Sequence, residues 1–122
     1  MPFIISRVNI PISDEQETEL KAGLGQAISC VPGKSEASLM LGFEHSYHLY
    51  LSGDNSQPMA YITVAVFSNR SHRGYEQLNE AICQLFHRVL DIDPRRIFIN
   101  YEDIPAWSMA GWTFDETQKG TK

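Results

Sequence analysis

The second residue of the sequence, Pro2, has the greatest potential for chemistry. Methionine before a small residue is commonly removed, and removal of Met1 leaves a secondary amine at the start of the first predicted strand. A free α-amino group has a pKa of roughly 7.7–8.0. Burial in an apolar pocket or a nearby lysine lowers that pKa toward neutrality. Because such an amine is a competent general base at pH 7, Pro2 is the first candidate catalytic residue.

The other reactive side chains have ordinary structural explanations. His45 and His48 are three apart near a strand, which places them on opposite faces and does not predict a metal site. His72, near the start of a predicted helix, is expected to be solvated. Arg95 and Arg96 are typical of a salt-bridged pair on the surface. We therefore predict no metal and no organic cofactor.

Composition excludes several classes of protein. The chain has 122 residues, 43% hydrophobic and 20% charged, as expected for one globular domain. Ten Lys and Arg against fifteen Asp and Glu give a net charge of −5, which disfavours nucleic acid and anionic membranes as partners. No apolar stretch approaches the roughly 18 residues of a membrane span. No basic segment typical of a secretory signal precedes residue 3, and the two cysteines form no C-x-x-C motif, so we expect a cytoplasmic location.

Two helices and five strands are predicted to position these residues. Ser13, followed by acidic residues, is predicted to cap the first helix, and Ser71 the second. Residues at helical spacing form the predicted apolar faces of the helices: Leu20, Leu24, Ala27, Ile28 and Val31 in the first, and Tyr75, Leu78, Ile82, Leu85, Phe86 and Val89 in the second. Strands are predicted at 3–10, 37–43, 48–51, 59–67 and 96–101. The run 59–67 is nearly all apolar, as in a strand buried on both faces.

The two halves of the chain resemble each other. A shift of 58 positions places Phe3 on Tyr61, and after the helices a shift of 62 places Lys34 on Arg96. The predicted fold class is therefore α+β, in which two βαβ units form a four-stranded mixed sheet with both helices on one face, plus short edge strands. We expect the uncovered face to pack against another subunit. Residues 1–114 are predicted to be one domain, and 115–122 a polar tail.

Six short segments, taken together in their order and spacing, resemble the pattern of a known protein family. They are 2–5 (PFII), 9–11 (NIP), 33–34 (GK), 69–71 (NRS), 93–101 (DPRRIFINY) and 111–114 (GWTF). Together they resemble the macrophage migration inhibitory factor family of the tautomerase superfamily, and the resemblance covers residues 2–114.

This resemblance implies a symmetric homotrimer with active sites between subunits. It implies keto–enol tautomerisation of phenylpyruvate-like 2-oxo acids, with Pro2 as general base. Lys34 is then expected to hold the substrate carboxylate and to lower the pKa of the proline. Four further residues are expected to contact the substrate: Phe67 through its backbone, Asn100 from a neighbouring subunit, and Trp112 and Phe114 as part of an apolar wall.

One departure from the family pattern keeps other functions open. Phe98 stands where the family has a tyrosine, so this substrate-binding position has no hydroxyl to polarise a carbonyl. The alternative is a cytokine-like trimeric interaction protein with vestigial or no catalysis. A third option is decarboxylation or hydration of unsaturated acids, although relatives with those activities have extra arginines near the proline and here only Arg7 occurs early in the chain.

Overall fold

A computed structural model describes residues 1–117 of the chain. In chain order the elements are β1 (Pro2–Val8), α1 (Asp14–Ala27), β2 (Met40–Glu44), β3 (Ala60–Phe67), α2 (Tyr75–Leu90), β4 (Ile97–Ile104), β5 (Ala106–Met109) and β6 (Trp112–Asp115). No helix within these residues is long and apolar enough to cross a membrane. Of the predicted tail, Asp115 ends β6, and 118–122 lie outside the described residues.

The main sheet confirms the predicted pair of βαβ units. Its strand order is β2-β1-β3-β4, where β1 is parallel to β2, antiparallel to β3, and β3 is parallel to β4. Phe3 pairs with Met40 in the first parallel ladder. Tyr61 pairs with Phe98 in the second. Tyr61 is 58 positions after Phe3, and Phe98 is 58 positions after Met40. The repeat in the sequence is therefore an approximate two-fold symmetry of the sheet.

Both helices pack on the same face of this sheet. Leu24 of α1 and Ile82 of α2 are fully buried, together with Ile4 and Val64 of the central strands. On the opposite face Tyr61 and Phe98 are exposed in the single chain. The prediction that 59–67 is buried on both faces is confirmed on the helix side and holds only in part on the other, where Ala65 is buried but Tyr61 is exposed. No other element within residues 1–117 covers this second face.

The two helices begin differently. The Ser13 side chain accepts a hydrogen bond from the Gln16 backbone N–H, which confirms the predicted cap of α1. The predicted Ser71 cap of α2 is wrong, because α2 begins at Tyr75 after Gly74, whose φ is 85°. A Cβ at Gly74 would lie 2.1 Å from the Cys30 carbonyl oxygen, so this tight approach requires glycine.

The predicted strand at 48–51 is absent from the described chain. Residues 46 and 47 follow β2 and donate backbone hydrogen bonds to the end of β1, to Ile10 O and Val8 O, both at 2.9 Å. The chain then turns away, and 51 forms only an isolated bridge with Asp54. The short strands outside the main sheet are β5 and β6, which form an antiparallel hairpin.

Candidate active site

The start of β1 lies beside the end of β3. Pro2 is buried and pairs with Val66 in the antiparallel ladder. The Phe67 backbone N–H donates to the Met1 carbonyl at 3.2 Å. These contacts fix the beginning of the chain against the end of β3 instead of leaving it free in solvent.

Lys34 reaches the same place from the loop after α1. A short 3₁₀ turn, Ile28–Cys30, extends α1, and Gly33 follows with a φ of 79°. The Lys34 backbone N–H donates to Val31 O at 3.1 Å. Its Nζ donates to the Phe67 carbonyl, also at 3.1 Å. The loop therefore delivers an ammonium group to the first strand, and two of the three N–H donors of that ammonium remain for other acceptors.

We call the place where Pro2, Lys34 and Phe67 meet the candidate pocket. Its surroundings change the basicity of an amine placed there. The pKa of the Met1 amino group is lowered from 8.0 to about 6, first by burial, then by the positive charge of Lys34 and a hydrogen bond with it. At pH 7 an amine with this pKa is mostly unprotonated. The start of β1 thus holds a neutral, basic nitrogen beside a cation.

One aromatic side chain of β6, Phe114, contacts this region. The Phe67 and Phe114 rings meet edge to face, with centroids 6.5 Å apart. Trp112 is two residues before Phe114 on β6, so both side chains lie on the same side of the strand. Trp112 is 63% exposed in the single chain, which leaves its ring available for further contacts.

Two residues assigned to the site from the sequence lie elsewhere in the single chain. Asn100 and Phe98 are on the open face of β4, opposite Thr63 and Tyr61. The Thr63 hydroxyl donates to Asn100 Oδ1 at 2.7 Å. Since Pro2 pairs with Val66, a rise of about 3.3 Å per residue separates Pro2 from them by roughly 10 Å and 17 Å along the sheet. Neither residue can therefore complete this pocket from its own chain.

A network of polar side chains near the candidate pocket was not predicted from the sequence. His72 is exposed, as predicted, and it also contacts Asp103, with its Nε2 2.6 Å from Oδ2. Its ring stacks on Tyr75, whose ring stacks in turn on Tyr101 with centroids 3.9 Å apart. Burial raises the pKa of both tyrosines, so their hydroxyls remain protonated and act as donors. Asp103 pairs with Val66, the residue that faces Pro2, so this network fixes the strand ends that support the pocket.

The predicted surface pair of arginines is half correct. Arg95 Nη2 is 2.9 Å from Asp93 Oδ2, and hydrogen bonds from Arg95 lower the pKa of Asp93 to about 2. Arg96, in contrast, forms no ion pair within residues 1–117. Its Nη1 is buried and has no hydrogen-bond partner among those residues.

Comparison with known proteins places this geometry in a family. The family model described as macrophage migration inhibitory factor (MIF) matches residues 1–114. Leishmania major MIF2 is 22% identical, with a TM-score of 0.83 over 93% of this chain and 97% of that chain. The MIF homologue from Prochlorococcus marinus is 26% identical, with a TM-score of 0.77 over 92% and 98%.

A further structural relative bears on assembly. A structure described as a fused 4-OT wild type asymmetric trimer is 19% identical, with a TM-score of 0.78 over 91% of this chain and 94% of that chain. At this identity the match shows a shared fold. No curated protein sequence is similar enough to this chain to count as a match.

Proposed function

This chain belongs to the macrophage migration inhibitory factor family, and from that premise we propose that it is a keto–enol tautomerase of phenylpyruvate-like 2-oxo acids. In the proposal, removal of Met1 makes Pro2 the terminal amine. Lys34 binds the substrate carboxylate, and the Phe67 backbone lines the pocket. No metal or organic cofactor is needed, because both half-reactions are proton transfers.

The proposed mechanism uses one base and one cation. The neutral Pro2 nitrogen takes a proton from carbon 3 of the 2-oxo acid, and the electron pair of that C–H bond forms the C2–C3 double bond of the enolate. The protonated proline then returns the proton to the C2 oxygen, which gives the enol. A positioned general base contributes about 10²–10⁴-fold to such a step. Lys34 keeps the carboxylate fixed and offsets the added negative charge.

The observation that carries the proposal is the placement of buried Pro2 beside Val66 and Phe67, where the Lys34 Nζ donates to Phe67 O at 3.1 Å. The Met1 amine reaches a pKa of about 6 because of burial and Lys34. Pro2 N is one residue further into the same strand, so we expect the same two effects to act on it. An amine that served only as a chain terminus would require neither the burial nor the cation.

A homotrimer is part of this proposal. The fused 4-OT relative is described as a trimer. In the proposed assembly Asn100 and Phe98 of one subunit contact substrate in the pocket of a neighbour, and Trp112 and Phe114 supply the apolar wall. This arrangement explains why Asn100 and Phe98 lie far from Pro2 within one chain. We place the trimer in the cytoplasm, where the free Cys30 and Cys83 remain reduced.

Phe98 is the specific observation that favours a second candidate, a trimeric interaction protein with vestigial or no catalysis. Phe98 is 51% exposed and offers an apolar surface but no hydroxyl for catalysis. Intact mass and a phenylpyruvate assay on the same natively expressed sample separate the two candidates. We expect a mass that lacks Met1, a trimer by light scattering, and enol formation. A retained methionine together with no turnover would favour the interaction protein.

A further inference from the structure

An ion pair attaches the β5–β6 hairpin to the loop between β3 and α2. Arg70 Nε donates to Glu116 Oε2 at 2.7 Å. Glu116 lies beyond residues 1–114, so the family match does not describe this pair. On the basis of the proposed function, we propose that this ion pair is a clasp that holds the Phe114 ring against Phe67. The clasp thereby makes the candidate pocket selective for carboxylates that carry an aromatic ring.

The burial of Glu116 distinguishes the clasp from the other ion pairs. The Glu116 side chain is 12% exposed, whereas the carboxylates of the other ion pairs within residues 1–117 are 36% to 49% exposed. A carboxylate that has lost most of its water is costly unless a donor replaces that water. No other side chain within residues 1–117 donates to this carboxylate. The contact with Arg70 therefore stabilises the hairpin in its present place.

The backbone presents Glu116 on the same side as the aromatic ring of β6. Glu116 N donates to Pro105 O at 3.0 Å, so the pairing of the hairpin extends one residue past β6. Asp115 Oδ1 accepts from Thr117 N at 2.9 Å and turns the chain directly afterwards. Phe114 and Glu116 are two residues apart on this extended segment, so their side chains lie on one side of it. Holding Glu116 therefore also holds Phe114.

The loop that carries Arg70 is fixed on both sides of that residue. Before it, Ser68 N donates to Ile104 O at 3.1 Å. After it, His72 Nε2 is 2.6 Å from Asp103 Oδ2. Ser68 and His72 have φ of 59° and 62°, a left-handed conformation that residues with a Cβ adopt only rarely. Because these contacts hold the loop at the end of β3, Arg70 is a fixed anchor for the hairpin.

The clasp acts on the aromatic side of the pocket and leaves the cationic side unchanged. The Phe67 and Phe114 rings meet edge to face, with centroids 6.5 Å apart. An aromatic ring bound beside them gains edge and face contacts that an alkyl chain does not make. Lys34 Nζ is held separately, by Phe67 O at 3.1 Å. A carboxylate without a ring therefore keeps its main contact when the clasp is broken.

Ligand binding tests the clasp without requiring turnover. The probes are 3-phenylpropanoate and butanoate, two carboxylates of which only the first has a ring. Binding is followed by the amide resonance of Phe67 and by the indole resonances of Trp107 and Trp112, the two tryptophans of the chain, which both lie in the hairpin. In Arg70→Gln we expect the Kd of 3-phenylpropanoate to rise about fivefold or more, and the Kd of butanoate to stay within twofold. Lys34→Ala is expected to weaken both ligands, which assigns the binding to the candidate pocket.

Further variants separate the clasp from a general loss of folding. Arg73→Gln is the matched control, because Arg73 is an exposed arginine of the same loop and forms no ion pair within residues 1–117. It is expected to bind both ligands as the wild type does. Glu116→Gln is expected to reproduce the effect of Arg70→Gln. The double variant is expected to lose no more affinity than either single variant, since both remove the same contact.

Three results overturn the clasp. They are an equal Kd for 3-phenylpropanoate in the wild type and both single variants, an equal weakening of the two ligands in Arg70→Gln, and no saturable binding of 3-phenylpropanoate by the wild type. Enol formation from phenylpyruvate tests the proposed function separately. Ring-selective binding that depends on Arg70, without any enol formation, would support the clasp and contradict the tautomerase.

Discussion

The two halves of the molecule share one framework and differ in what they hold. Each half runs from a strand through a helix to a parallel strand, and the ladder registers coincide after a shift of 58. In the first half a lysine reaches across to the neighbouring strand, where Nζ of Lys34 bonds to Phe67 O. In the second half the Nη1 of the equivalent Arg96 has no hydrogen-bond partner within residues 1–117, and an apolar groove lies beside it.

The difference shows how a symmetric fold places the proposed catalytic site in only one of its two halves. Burial and a nearby cation can tune an amine only where an amine exists. In the proposed mature chain that place is Pro2, whereas its counterpart Ala60 has an amide nitrogen. The fold therefore places a cationic side chain, Lys34 or Arg96, in each half. In the proposed mature chain only the first half also has a basic amine.

The largest effect is expected when the base itself is altered. Pro2→Gly keeps a terminal amine but makes it primary and more mobile, so kcat for phenylpyruvate is expected to fall about 10²-fold or more. KM is expected to change only a few-fold, because Lys34 still binds the carboxylate. Steady-state kinetics measure kcat and KM. Pro11→Gly is the matched control, because it replaces an exposed proline outside the proposed site. Equal kcat in wild type and Pro2→Gly would exclude Pro2 as the base.

The next effect concerns the contact that connects the halves. Gly74→Ala forces a Cβ against the Cys30 carbonyl and combines this clash with a φ of 85°. We expect a loss of about 2–3 kcal/mol in the free energy of unfolding. Gly53→Ala is the control, since Gly53 has a φ of 75° but nothing within 4 Å, and should lose about 1 kcal/mol. Urea denaturation compares them, and similar losses in both variants would contradict the close packing.

A smaller effect is expected when Lys34, the cation of the first half, is replaced by alanine. Lys34→Ala removes a charge-assisted hydrogen bond to the substrate carboxylate, worth roughly 1.5–3 kcal/mol. We expect KM to rise about 10–100-fold. Lys21→Ala removes the same charge from an exposed position of α1 and is expected to leave KM unchanged. A similar KM in wild type and Lys34→Ala would separate Lys34 from substrate binding.

The smallest effect distinguishes the two helix starts. Ser13→Ala removes the side-chain oxygen that accepts from Gln16 N and is expected to cost about 1 kcal/mol of stability. Ser71→Ala is expected to cost less than 0.5 kcal/mol, because Ser71 does not cap α2. Thermal or urea unfolding of both variants checks the difference, and equal losses would contradict it.

Local patterns in the sequence predicted most of the fold. The spacing of Leu20, Leu24 and Ile28 placed one helix face correctly, and the repeat predicted the sheet. The Ser71 cap failed because the start of α2 depends on how Gly74 packs on Cys30, a contact 44 positions apart in the chain. The strand at 48–51 failed because alternation alone does not reveal whether a neighbouring strand is in reach.

The candidate site was predicted less directly. Pro2 was identified from its own chemistry, but Lys34 looked like an ordinary loop lysine until the family resemblance was considered. The pairing of His72 with Asp103, and the absence of an ion pair at Arg96 within residues 1–117, depend on three-dimensional contacts. Spacing in the sequence does not encode such contacts, so Arg95 and Arg96 looked alike.

The pH dependence of kcat/KM for phenylpyruvate tests the central claim most directly, namely that the pocket and Lys34 together keep the amine neutral at pH 7. Since only the unprotonated amine accepts a proton, kcat/KM is expected to rise with pH and to reach its plateau above the amine pKa. The midpoint is expected below the roughly 7.7–8.0 of a free α-amino group, because burial and Lys34 lower the pKa of an amine at this place. In Lys34→Ala the loss of a nearby positive charge raises the amine pKa, so the midpoint moves to higher pH. An identical midpoint in wild type and Lys34→Ala would contradict the account.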